Sequence, residues 1–271
     1  MKTALIQLTS TDDPAHNLTA TRGMIADAAG QGAGFILTPE VTNCVSASRA
    51  HQRDVLQHET DDQTLAALRK DAQALGIWLS VGSLALKTDD ADGRFANRSF
   101  VIDPNGNITA RYDKMHMFDV DVSDSESYRE SAGYRAGAQA VVTQTPFGAL
   151  GLSVCYDLRF AYLYRALAQA GAEILLIPSA FSPVTGHAHW EPLLRARAIE
   201  TGCYVLAAAQ TGDHGARKTY GHSMVISPWG EVLLDMGTRN GIGLVEIDRA
   251  AVSNARKRIP ALLHDRKFKG P

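Results

Sequence analysis

Cys155 ends an apolar run, LGLSV, and the chain then turns at once into the polar, charged YDLR. A free cysteine is most often a small buried hydrophobe, and Cys44 and Cys203 invite that reading. Cys155 differs because the change from strand to turn would expose its sulfur, much as a nucleophile elbow exposes a serine. Amides at the start of the following helix, that of Tyr156 first, could donate to an oxyanion. The thiolate is the attacking form, and an ordinary cysteine with pKa about 8.5 is only a few per cent thiolate near neutral pH, so a base is required. Glu40 stands at the end of the apolar run GFILTP, and Lys114 lies in RYDKMHMFD. Taken singly, each would pass for a surface charge. His116, His187, His189 and His222 are alternative bases for a Cys/His arrangement, although no HExxH or other ligand spacing accompanies them.

The elements that must position these residues alternate. Apolar runs at residues 4–8, 34–38 and 77–82 are separated by helical patterns over 17–29 and 64–75, which is the strand-helix-strand signature of a βαβ unit. A hairpin, SFVIDPNGNITARY, follows, its DPNG a strong turn signal. The plan then repeats. Strands are expected at 150–154, 173–178 and 204–210, helices at 160–170 and 190–201, and a second hairpin in HSMVISPWGEVLL. Two such halves stacked through their sheets, with helices outside, would make a four-layer αββα sandwich; the alternative is one doubly wound sheet. In parallel α/β architectures ligands collect at the carboxyl ends of strands, where Glu40 and Cys155 stand, one in each half. Residues 119–140, acidic and rich in serine, read as a long loop between Lys114 and Cys155, and loops of that length are usually functional or mobile.

Composition narrows the class. The 271 residues are 45% hydrophobic and 21% charged, with a formal net charge of −2, which fits one globular domain over residues 1–271 with no basic stripe for nucleic acid. The N-terminal apolar stretch is too short for a signal peptide and no run approaches a membrane span, so a cytoplasmic protein is expected. Three cysteines without CxxC spacing argue against a disulfide framework and a zinc site. Gly-rich phosphate loops are missing as well, so neither cofactor nor metal is expected.

TPE at Glu40, YDKMHMFD at Lys114 and GLSVCYDLRF at Cys155 together resemble the Glu-Lys-Cys triad motifs of the nitrilase superfamily of carbon-nitrogen hydrolases. The likeness runs along nearly the whole chain and implies the four-layer fold. It also implies amide hydrolysis through a thioester on Cys155, with Glu40 as base and Lys114 stabilising the oxyanion with the Tyr156 N–H. Glu130, in ESAGYRAG, matches a supporting glutamate of the superfamily. Within it, AQAGAEILLIPSAF, TGHAHWEPLLRARAIETGCYVLAAAQ and YGHSMVISPWGEV are similar to the deaminated glutathione amidase branch. That branch implies a small amide substrate bearing carboxylates, a 2-oxoglutaramyl group joined to Cys-Gly, and a metabolite-repair role. An ω-amidase acting on 2-oxoglutaramate, an N-carbamoyl or aliphatic amidase, and a non-catalytic interaction protein are the alternatives. Arg159 is the expected partner of a substrate carboxylate, the alternative being an ion pair with Asp157. The family also implies a homodimer or higher homo-oligomer. One departure is local: where relatives read RFPEL, this chain reads RFAYL, losing a proline favourable in a helix's first turn.

Overall fold

Neighbouring side chains of the first strands go into different cores, and that division sets the architecture. In the computed structural model, which describes residues 1–123, 126–215 and 217–270, strand β1 (Lys2–Gln7) sends Leu5 into one core and Ala4 and Ile6 into another. Strand β2 (Phe35–Leu37) divides likewise, Phe35 and Leu37 against Ile36. Successive side chains of a strand point to opposite faces, so a sheet covered on both sides reads as a continuous apolar run. One face meets Ile25 and Ala28 of helix α1 (Pro14–Gly30), and, beyond the short helix α2 (Arg49–Val55), Leu65, Leu68 and Ala72 of helix α3 (Gln63–Leu75). The other face meets a second sheet.

Among the described residues the first sheet is completed by β3 (Trp78–Leu86), β4 (Ala96–Ile102) and β5 (Ile108–Asp113). After a hairpin of β6 (Asp119–Ser123) and β7 (Glu126–Arg129) come β8 (Val142–Thr145), β9 (Gly148–Leu152), β10 (Ile174–Leu176) and β11 (Tyr204–Ala207). The rest are the pair β12 (Thr211–Asp213) and β13 (Lys218–Tyr220), then β14 (Met224–Ile226), β15 (Val232–Asp235) and β16 (Gly241–Glu246). The two six-stranded sheets run β16-β1-β2-β3-β4-β5 and β15-β14-β11-β10-β9-β8. In each, three parallel strands (β1, β2, β3 or β9, β10, β11) carry an antiparallel pair at one edge and a single antiparallel strand at the other. The duplicated pattern in the sequence is therefore a duplicated topology, and β16 crosses back to close the first sheet on β1.

Helices α4 (Ala161–Gln169) and α5 (Pro183–Thr201) cover the outside of the second sheet through Leu163, Tyr164, Leu167, Trp190 and Leu194, completing the αββα sandwich. Between the sheets, Phe147 fits against Phe35 at 4.9 Å between ring centroids and meets Trp78 edge-on at 5.9 Å. No described helix is long and apolar enough to cross a membrane.

Three expectations change. Residues 119–140 are not a long loop: β6 pairs with β7 and a single 3-10 turn follows at Glu130–Ala132, although residues 124 and 125 at the hairpin's end lie outside the described residues. Helix α5 starts seven residues earlier than its apolar pattern suggests because Pro183 takes its first turn, where a missing N–H costs nothing. The lost proline after the Cys155 turn does not prevent α4 from starting at Ala161; Phe160 caps it without a side-chain hydrogen bond. Helix α6 (Arg249–Arg258), capped by Asp248 Oδ1 on the Ala250 N–H at 2.9 Å, and β16 are additions.

Candidate active site

Strands β2 and β5 run the same way in the first sheet, and their carboxyl ends meet that of β9 from the second. A cavity of about 420 Å³ opens there, with Glu40, Lys114, Cys155, Tyr156 and Glu130 in its wall. The hairpin contributes Glu126, Tyr128 and Arg129, and Arg49, Tyr134 and Arg217 complete the polar lining.

Glu40 is 4% exposed and is held by a strained backbone. Val41, the next residue, has φ +47°, a genuine outlier for a β-branched side chain. It is tied down by its N–H to Ser83 Oγ at 2.8 Å and by the Thr42 N–H to Ser83 O at 2.9 Å. From the other half, Gln210 Nε2 donates to Glu40 O at 3.1 Å. Gly82 makes the close approach possible, since a Cβ there would lie 2.0 Å from Thr38 O and 2.6 Å from the Pro178 Cβ.

Lys114, 2% exposed, directly follows β5 and sits between two carboxylates, its Nζ 2.9 Å from Glu40 Oε1 and 2.9 Å from each oxygen of Glu130. Asn97 Nδ2 donates to Glu40 Oε1 at 2.9 Å, and the Phe118 N–H donates to Glu130 Oε2 at 2.6 Å. A buried ammonium persists only when paired and hydrogen-bonded. Burial pushes the Glu40 carboxyl up, but the Lys114 ammonium outweighs it and holds the group below the ordinary carboxylate range. Burial works against the charged lysine too, yet Glu130 and Glu40 raise it well above its usual value.

Cys155, 7% exposed, follows β9 at φ +50° and opens a 3-10 turn, Cys155–Arg159, its N–H donating to Pro178 O at 2.9 Å. Of the three non-glycine residues with positive φ among the described residues, two are thus Val41 and Cys155; strain of this kind clusters at functional sites. Burial pushes the Cys155 thiol up, and Glu40 adds to that, while Lys114 and the Ala180 N–H pull the other way. The sulfur therefore rests as a thiol beside an ionised carboxylate.

Behind Cys155, the fully buried Asp157 joins its turn to the Lys114 segment. Its Oδ2 accepts from the Val154 N–H at 2.8 Å and from Tyr112 Oη at 2.6 Å, and its Oδ1 from the His116 N–H at 3.0 Å and His116 Nδ1 at 2.6 Å. His116 stacks on Phe160 at 3.6 Å and its Nε2 meets Tyr162 Oη, so the residue that departs from the RFPEL pattern bonds the same clamp.

The structure brings Glu40, Lys114, Cys155, Tyr156 and Glu130 together, and leaves Arg159 outside. The Arg159 guanidinium lies 3.2 Å from His189 Nδ1 and over the rings of Tyr156 and Phe181, two residues of the cavity wall, and among the described residues it makes no ion pair with Asp157, whose oxygens accept from other donors. None of the four histidines lines the cavity. The sequence reading missed Asn97, Arg49 and Arg217, because each reaches the site from a separate segment; only ANRSF, a polar residue opening an otherwise apolar strand, carried a local signal.

Comparison with known proteins is consistent across the chain. The family model described as carbon-nitrogen hydrolase matches residues 2–257. Deaminated glutathione amidase of Yersinia enterocolitica is 40% identical over 265 residues, covering 97% of this chain and 92% of that protein. Among solved structures, the C. elegans NitFhit protein superposes with a TM-score of 0.92 at 38% identity, over 98% of this chain and 65% of its own. A mutant of the amidase from Nesterenkonia sp. AN1, showing Michael addition of acrylamide at its active site cysteine, superposes with a TM-score of 0.79 at 28% identity, covering 96% of this chain and 98% of that one.

Proposed function

Since the chain belongs to the carbon-nitrogen hydrolase family and is an amide hydrolase, we propose that Cys155 is its nucleophile and that its substrate is deaminated glutathione, cleaved to 2-oxoglutarate and Cys-Gly. The observation that carries this reading is the placement of Lys114 Nζ 2.9 Å from Glu40 Oε1 in the cavity wall that also holds Cys155. The substrate follows from the likeness to the Yersinia amidase, and the nucleophile from the Nesterenkonia enzyme's modified cysteine.

In this mechanism Glu40 takes the thiol proton as sulfur attacks the amide carbon, and the carbonyl electron pair moves onto oxygen. The Lys114 ammonium and the Tyr156 N–H stabilise that oxyanion; one such donor is typically worth about a hundredfold or more in rate. Protonated Glu40 then gives its proton to the departing amine as the C–N bond breaks, leaving a thioester. Water attacks the thioester, Glu40 again receives the proton, and cleavage of the C–S bond restores the thiol. Glu130 holds the ammonium from its far side throughout. The same reading takes residues 1–271 as one catalytic domain of a cytoplasmic homo-oligomer.

Purified wild type and Cys155→Ala are incubated with deaminated glutathione, 2-oxoglutaramate and a carbamoyl amino acid, and 2-oxoglutarate or ammonia is followed. Fast, Cys155-dependent release of 2-oxoglutarate from the first compound is expected. Turnover of another amide alone would replace the substrate, and equal activity in Cys155→Ala would remove the nucleophile.

A further inference from the structure

The cavity wall carries three arginines, and they are not equivalent. Arg129 is exposed and spends its Nη2 on both oxygens of Asp121. Arg49 donates to Gln52 Oε1 at 2.7 Å and lies 4.9 Å above the Tyr134 ring, on the wall formed by the first half. Arg217 comes from the second half, and its guanidinium makes a single hydrogen bond among the described residues, Nη2 to Ala180 O at 2.6 Å. Its guanidinium lies 5.7 Å from the Tyr128 ring centroid, and its Nε is buried without a partner among the described residues.

A guanidinium has five N–H donors. Some guanidinium groups of this chain are matched to an acid: Arg22 grips Asp71 through Nε and Nη2 at 2.7 and 2.8 Å, and Arg98 grips Asp113 the same way, whereas Arg69 bonds a backbone carbonyl, Gly106 O. Arg217 has no such acid among the described residues, although it stands where an uncompensated cation is costly. Its position relative to the chemistry is also defined. Ala180, which anchors it, bears through its N–H on the Cys155 sulfur, and the Arg217 charge itself helps hold Glu40 ionised. Arg217 and Cys155 line one cavity, so a five-carbon 2-oxoglutaryl group on the sulfur would share the space that Arg217 bounds.

We propose that Arg217 is the anchor for the carboxylate on the acyl side of the substrate, the group that distinguishes a 2-oxo acid amide from a neutral aliphatic amide. The proposal rests on the substrate class given above and adds the residue that reads it. Arg matches a carboxylate with two parallel hydrogen bonds, which a lysine cannot reproduce. Arg217 would thus select among acyl groups, whereas a carboxylate on the leaving amine would have to be read elsewhere.

The test separates the residue from the substrate. Binding of glutarate and of neutral pentanamide is measured by calorimetry on Cys155→Ala carrying in addition no change, Arg217→Lys, Arg217→Gln or Arg49→Gln; kcat and KM for 2-oxoglutaramate are measured on the same substitutions with Cys155 intact. Arg217→Gln is expected to weaken glutarate binding by about a hundredfold more than pentanamide binding. It should also raise KM for 2-oxoglutaramate more than it lowers kcat, with Arg217→Lys recovering part of the loss. Equal losses for the two ligands, or a glutarate-specific loss in Arg49→Gln instead, would overturn the assignment. If glutarate binds through Arg217 while no 2-oxo amide is turned over, the substrate reading fails and the anchor stands; absence of glutarate binding removes the anchor.

Discussion

Glu40, Lys114 and Cys155 rest in the protonation states that a first proton transfer requires: an ionised carboxylate, an ammonium and a neutral thiol. Lys114 lowers the Glu40 carboxyl, so its ionised form, the base, survives to more acid pH than an ordinary carboxylate, and the thiol stays protonated beyond its usual range. The expected kcat/KM profile is therefore flat from about pH 5 to about pH 8.5, with an acid limb below the ordinary glutamate value of about 4.3. An acid limb near pH 6.5 would point to a histidine base instead. The same depression makes Glu40 a source of stability that is complete above that unfolded value and lost as pH falls through its lower folded value. Glu130→Gln keeps a side chain of the same shape beside Lys114 but removes one charge; kcat should fall about tenfold or more while acylation of Cys155 persists. Kinetics indistinguishable from wild type would strip Glu130 of its role. Glu40 and Cys155 stand at the ends of apolar runs, whereas Lys114 and Glu130 were singled out by the motifs that resemble the family's. Asn97 was not legible, since what gives it meaning is the Glu40 carboxylate opposite, and Arg217 was not, since only the fold brings its segment to the cavity wall.

At the scale of elements, the β5 and β9 ends are joined by Asp157 rather than by either catalytic side chain. Asp157→Asn replaces one acceptor oxygen with a donor that faces either the Val154 N–H or the His116 donors, so the clamp must loosen. A shift of about 1 Å at a reacting group can cost on the order of a hundredfold. The expectation is a kcat loss of roughly ten- to a hundredfold with KM nearly unchanged; a KM effect alone would mean the clamp shapes the pocket and not the nucleophile. The β6–β7 hairpin shows why the reading of residues 119–140 fell short. Val120 and Val122 carry a strand's alternation, but acidic and serine neighbours hid it, and the Asp121–Arg129 pair that links the strands joins residues eight apart. The helix signals were more durable: Asp62 accepts from the Leu65 N–H at 2.7 Å and Gly76 closes α3 at φ +64°, within a residue of the boundaries expected from the pattern.

Across the whole molecule, the duplicated strand pattern left two stacked sheets or one doubly wound sheet open, the family likeness pointed to two, and neither said that β16 would close the first, because a C-terminal strand's partner is set by tertiary pairing. The sheets hold together through side chains such as Phe147, packed on Phe35 and Trp78. Phe147→Ala should lower the unfolding free energy by about 3 kcal/mol in urea titrations; a loss below about 0.5 kcal/mol would show that the inter-sheet contact contributes little there. Since the residues proposed as catalytic come from both sheets, activity should be lost in the same transition as the fold.

The central claim, a thioester on Cys155, is tested most directly by acid-quenching the wild-type enzyme during turnover of deaminated glutathione and measuring intact and peptide masses. A 2-oxoglutaryl adduct confined to the Cys155 peptide, cleaved by hydroxylamine and missing from Cys155→Ala, is the predicted result. Undiminished turnover by Cys155→Ala, or an adduct carried by Cys44 or Cys203 in its place, would contradict it.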